Sequence, residues 1–165
     1  MRFIAGFVTA FIVLAIAGLA LVFSGLVNIA AREPHSAPVF VLLQTAMRQS
    51  VARQAAKVPA PAPSTDISRG FRLYNETCVY CHGAPGKDPT DIGKGLNPEP
   101  PFLPDTIQHW SAAEIFWIVK NGVRMTGMPS FADTHSDDDL RAVVAFVQKL
   151  PTMTEEQYAA YEKAQ

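Results

Sequence analysis

The sequence predicts an all-α protein, and three observations carry that expectation. Apolar residues recur at intervals of three and four over 67–78, 110–121 and 137–150, the period of a helix face. Beyond the N-terminal apolar run, no stretch alternates apolar and polar residues as a half-buried strand does. Phe3 to Val27 contains no charged residue, and it is longer than the ~20 apolar residues with which a helix spans a bilayer.

Taken in order, residues 1–27 are expected to form a transmembrane signal anchor. A cleaved signal peptide competes with this reading, but its apolar region usually runs ~7–15 residues, and the sequence has no good small-x-small cleavage site. Only Arg2 precedes the span, whereas Arg32, Arg48, Arg53 and Lys57 follow it, so a count of flanking positive charges does not set the orientation. Residues 28–58 are expected to hold a juxtamembrane amphipathic helix, with Phe40, Leu43, Met47, Val51 and Ala55 as its apolar stripe. Their four basic residues face Glu33 alone. A helix of that kind rests on lipid, docks on a partner subunit or acts as a plain spacer, and the residues leave all three open. Residues 59–65 alternate proline with small residues and read as an extended polyproline linker rising ~3.1 Å per residue.

A soluble domain is expected over 66–150. Ile67 to Cys78 reads as a helix with Gly70, Tyr74 and Cys78 on one face, the glycine allowing a second helix to cross closely. Gly83 to His109 is rich in Gly, Pro and Asp and reads as loop. Loops of that length are uncommon in compact domains unless they serve a site. Ser111 and Glu114 form a capping box for a helix ending at Asn121, with Gly122 as a left-handed cap. Val123 to Thr134 is a second loop. Ser136 caps the helix Asp137 to Leu150, whose three leading aspartates meet the positive end of its dipole. That helix buries Leu140, Val143, Val144, Val147 and Leu150, and Pro151 stops it. Residues 151–165 are expected to form a short, polar, frayed tail helix. Three helices and long loops bury little surface by themselves, so something besides side chains must fill the centre.

Cys78-Val79-Tyr80-Cys81-His82 supplies the candidate. A C-x-x-C-H run is the attachment signal for c-type haem: each thiol adds to one haem vinyl group, and the histidine stands beneath the iron. A redox dithiol would sit in a βαβ pattern, which is absent from the sequence around it. A zinc site needs about four ligands, yet Cys78 and Cys81 are the only cysteines, and His35, His109 and His135 are scattered. One covalent haem c is therefore the expected cofactor. A formal net charge of -1 gives no reason to expect a nucleic-acid partner.

Residues 66 to about 150 resemble the class I c-type cytochromes, specifically membrane-anchored monohaem members from bacteria. Gly70 and Tyr74 match the crossing positions of their N-terminal helix, Cys78, Cys81 and His82 their haem attachment and proximal ligand. Pro101-Phe102-Leu103 resembles the element in which a proline carbonyl accepts a hydrogen bond from that histidine while the leucine packs on the haem. Gly127-Met128-Pro129 resembles the distal methionine loop. The resemblance implies the class I cytochrome c fold, with Cys78, Cys81, His82, Pro101, Leu103 and Met128 binding the cofactor and His82 and Met128 ligating the iron. Met125, His109 and His135 compete for the distal place. Met128 is favoured because Gly127 permits close backbone approach and Pro129 stiffens the loop.

Histidine–methionine ligation leaves no open position and raises the potential. The resemblance thus implies an electron carrier without a small-molecule substrate, not an enzyme. Its partners would be redox proteins, met through small interfaces below ~1,200 Å² or within a membrane oxidoreductase complex of a respiratory chain. Attachment of c-type haem takes place outside the cytoplasmic membrane, so the implied location is the bacterial inner membrane with the haem domain in the periplasm. An open sixth site, as in a haem enzyme or gas sensor, is the alternative.

Overall fold

The structure is a computed structural model that describes residues 2–58, 62 and 64–164. Most of the expected proline-rich rod at 59–65 lies outside the described residues. The chain divides into two compact units between Glu33 and Pro34.

The first unit is one helix, α1 (Arg2–Phe23), all of whose residues are exposed. It ends before Val27, where Ser24 precedes Gly25 at a φ of 72°. At ~1.5 Å per residue its 22 residues still match a hydrocarbon core of ~30 Å.

The second unit begins with α2 (Ala37–Ala55), whose stripe is buried progressively along its length. Phe40 and Leu43 are exposed, Met47 is half-buried, and Val51 and Ala55 are buried. The buried end packs on α7 (Ala112–Asn121), and the Arg48 guanidinium lies 4.8 Å from the centre of a Trp110 ring. Cation–π stacking of this kind is worth ~0.5–1 kcal/mol at exposed sites.

Next, α3 (Ile67–Leu73) runs through a π-helical turn at Tyr74–Cys78 into α4 (Val79–His82). The wider turn is seen where the Val79 amide donates to the Tyr74 carbonyl. Within it the Thr77 hydroxyl donates to the Leu73 carbonyl at 2.6 Å, and such local side-chain bonding competes with regular helix. The segment expected as loop over 83–109 contains two single turns, α5 (Asp91–Lys94) and α6 (Leu103–Thr106), and a 3₁₀ turn at Ile107–His109. Helix α7 carries the full Ser111–Glu114 capping box. Gly122 has the expected positive φ of 68°, but its ψ of -175° is extended rather than left-handed helical. The helix α8 (Asp137–Val147) has a capping box of its own, between Ser136 and Asp139, and Arg69 pairs with Asp139 at 2.6 Å.

The core sits where α3 crosses α8 at Gly70. A Cβ there would lie 2.7 Å from the carbonyl carbon of Ala142 and closer still to its oxygen. Tyr74 packs on Phe146, ring centres 5.4 Å apart, and Phe71 meets the same ring edge-on at 5.5 Å. The tail departs from the frayed helix expected: α9 (Glu155–Lys163) is docked. Tyr158 is 1% exposed, its hydroxyl donates to the Asn75 side chain, and Tyr161 stacks on Phe71 at 5.2 Å. Two tyrosines three residues apart on one helix face, behind a Thr154–Gln157 capping box, supply the anchorage. No strand occurs among the described residues, only an isolated bridge between Ala84 and Lys87.

Candidate haem-binding site

The attachment residues sit where the continuous helix of α3, the π turn and α4 ends. Cys78 closes the π turn, and Cys81 and His82 occupy the last turn of α4, which Gly83 ends with a φ of 63°. The buried Tyr74 hydroxyl donates to the Gly83 carbonyl at 2.5 Å, tying the helix end to its own preceding turn. Burial pushes this phenol well above its usual range, so it stays a neutral donor. On the outer side, the Thr90 amide and hydroxyl both donate to the Tyr80 carbonyl, at 2.9 and 2.8 Å. Gly93 comes so close to this backbone that a Cβ would lie 2.8 Å from the Tyr80 carbonyl oxygen. The C-x-x-C-H turn is thereby held from both sides, by contacts that the sequence did not announce.

His82 Nδ1 lies 2.9 Å from the Pro101 carbonyl oxygen. That bond places the proton on Nδ1 and leaves Nε2 as the free ring nitrogen, the arrangement that orients a ligating imidazole. Burial lowers the His82 pKa, and the Pro101 bond opposes the shift without reversing it. The ring is therefore held neutral, as a metal ligand must be. Leu103 follows in the first turn of α6, partly buried against the core.

The second loop brings Met128 to the same core. Its amide donates to the Thr126 hydroxyl, and its carbonyl accepts from the Val123 amide, both at 3.1 Å. Beyond it, the Ser130 hydroxyl and the Ala132 amide donate to the Lys120 carbonyl, stitching the loop to the end of α7. Gly122 makes this approach possible: a Cβ there would meet Met128 O, Pro129 C and Ser130 N at 2.7–2.8 Å. Gly127 is likewise pressed on Leu96, whose methyl carbon would lie 2.5 Å from an added Cβ. Met128 is partly buried against the core, whereas Met125 is 82% exposed. His109 is exposed, and His135 is occupied by Thr134 and Phe131.

This donor set fits haem c. The two thiols are free rather than joined as a disulfide, burial raises Cys78 to about 11, and a neutral imidazole lies between them and Pro101 in the chain. Among the described residues, no group of three or more His, Cys, Asp or Glu is placed to hold a bare metal ion. Once bound, haem supplies a one-electron iron couple. The chain's own residues hold the attachment turn, fix the imidazole tautomer and cover the centre with apolar side chains.

Residues 65–147, just over half of the chain, match the family described as Cytochrome C oxidase, cbb3-type, subunit III. Over 116 residues, 67% of its length, the chain is 32% identical to the Quinohemoprotein alcohol dehydrogenase of Comamonas testosteroni, and it spans only 14% of that protein. It is also similar to the crystal structure of the c-type cytochrome XoxG from Methylobacterium extorquens AM1. That likeness has 18% identity and a TM-score of 0.40, over 62% of this chain and 69% of the other. With the family match resting on the domain that bears the C-x-x-C-H turn, the chain belongs to the c-type cytochromes of this family and is an electron-carrying protein with one covalent haem c.

Proposed function

We propose that the protein is a membrane-anchored monohaem cytochrome facing the periplasm. It passes single electrons through a haem ligated by His82 and Met128, serves as a subunit or docked carrier of a membrane oxidoreductase chain, and catalyses no reaction itself. The observation that carries this reading is Met128: a half-buried thioether on a loop pinned through both of its backbone polar groups. A ligand so fixed leaves no coordination position for a substrate, and methionine ligation favours a high potential. The length and composition of α1 support the anchor. The matched family and the dehydrogenase relative are both named for oxidoreductases, which supports an oxidoreductase as the partner.

Mixing the reduced holoprotein with carbon monoxide tests the closed site. No spectral change on the mixing timescale is expected, and prompt binding would instead establish the open site of a haem enzyme or gas sensor. Fractionation tests the anchor: the haem-stained chain should pellet with membranes and retain residues 1–27. A soluble chain beginning near residue 30 refutes the anchor. Purification in mild detergent should bring down stoichiometric oxidoreductase subunits, and a chain that elutes alone would be a free anchored carrier.

A further inference from the structure

The N-terminal part of α2 is apolar on every side. Val39, Phe40, Val41, Leu42 and Leu43 are consecutive, and successive helical residues point about 100° apart, so the run encircles the axis. All five are 43–68% exposed. A protein groove covers one face of a helix; a helix that is apolar all round belongs inside an apolar medium. The opposite end of the same helix is buried by Val51 and Ala55 on α7 and held by Arg48 on Trp110. Between Ala37 and Ala55 there is no acidic residue, while Arg48 and Arg53 are basic, and Lys57 follows. This sign suits anionic headgroups. Only residues 24–36 connect α2 to the span.

From these observations we propose that residues 37–43 enter the apolar edge of the lipid bilayer while residues 48–55 clamp the haem domain. On this proposal, α2 sets the orientation of that domain against the membrane. The inference rests on the anchored reading above. It gives the short proline-rich segment a different consequence, because the haem domain is then held by a rigid helix and not merely tethered.

Nitroxide labels on Leu42→Cys, Ser50→Cys and Leu14→Cys test it, since the covalent haem occupies Cys78 and Cys81. The full-length holoprotein is placed in vesicles of phosphatidylcholine with a minority of phosphatidylglycerol, all in one redox state. Collisions with oxygen and with a water-soluble nickel complex are then compared. Leu42 should read as lipid (oxygen high, nickel low) and Ser50 as water. A watery Leu42 beside a lipid-like Leu14 overturns the inference and leaves the anchor standing. A watery Leu14 removes the anchor, and the inference with it. Leu42 shielded from both reagents means that protein covers the run, which also overturns the inference. Haem linear dichroism on oriented bilayers reads the clamp. The wild type should be dichroic, and Val51→Asp should lose the signal while Leu42 stays in lipid. Dichroism unchanged by Val51→Asp shows that α2 does not orient the domain.

Discussion

Gly70 is the position where a single methyl group should matter most. Its added Cβ would meet not a movable side-chain tip but the backbone carbonyl of Ala142 in the middle of α8, with Phe146 Cβ, one turn further along the same helix, at 2.9 Å. Neither helix yields locally, so α3 and α8 must move apart. Overpacking of this kind costs about 1–3 kcal/mol, and the rigid obstacle puts Gly70→Ala at the upper end. Separation also loosens the Phe71–Phe146 and Tyr74–Phe146 contacts, worth ~0.5–1.5 kcal/mol per aromatic pair. Against this, alanine gains about 1 kcal/mol over glycine in a helix interior. The expected net loss is about 2–3 kcal/mol. Gly70→Val, with two further methyls at the same spot, should lose more.

Thermal melts of the holoprotein followed by far-ultraviolet circular dichroism read this directly. For a domain of this size each kcal/mol moves Tm by ~4–8 °C, so Gly70→Ala should melt roughly 10–20 °C lower. Haem staining on a denaturing gel should be unchanged, because attachment depends on the thiols and not on the crossing. If Gly70→Ala melts at or above the wild type, the propensity gain has met no obstacle, and the close crossing is wrong.

Met128→Ala should abolish the weak red-edge absorbance of iron–sulfur ligation and lower the potential within the ~0.8 V range that axial ligands span, whereas Met125→Ala should leave both unchanged; the reverse pattern would assign Met125. Gly122→Ala, which strains a positive φ and crowds the Met128–Ser130 backbone, should weaken the same absorbance without touching a ligand, as read by its loss at lower temperature than in the wild type. Tyr158→Ala should lower stability by about 3 kcal/mol in guanidinium unfolding, the cost of removing a buried aromatic; a neutral result would mean that α9 contributes nothing to the fold.

What the sequence discloses about this molecule is mostly what nearest neighbours along the chain decide. The capping box at Ser111 and Glu114 needs only a three-residue spacing, and it is present. The C-x-x-C-H run states its chemistry by itself. The crossing at Gly70 was legible because a glycine in an otherwise bulky helix has few purposes besides close approach. The π turn was not legible, since the side-chain bond within it, from the Thr77 hydroxyl to the Leu73 carbonyl, is one that any surface threonine makes equally well in a regular helix. The docking of α9 was hidden by composition: charged residues outnumber the tyrosines that anchor it, although Tyr158 and Tyr161 stand three apart, as residues on one helix face do.

The two ends of α2 show why an apolar stripe underdetermines its partner. Phe40, Leu43, Met47, Val51 and Ala55 form one line by period alone, yet only the last two are buried in the folded chain. Along a helix, periodicity says which side avoids water and not what excludes it. Here the distinction comes from the residues beside the stripe. At the buried end Arg48, Gln49, Ser50, Ala52 and Arg53 restrict contact to one face. At the exposed end Val39, Val41 and Leu42 extend the apolar surface around the axis. One helix thus carries two unlike ends joined by a single stripe, and it is the width of the apolar arc, not its spacing, that separates the end buried on protein from the exposed end that we propose enters lipid.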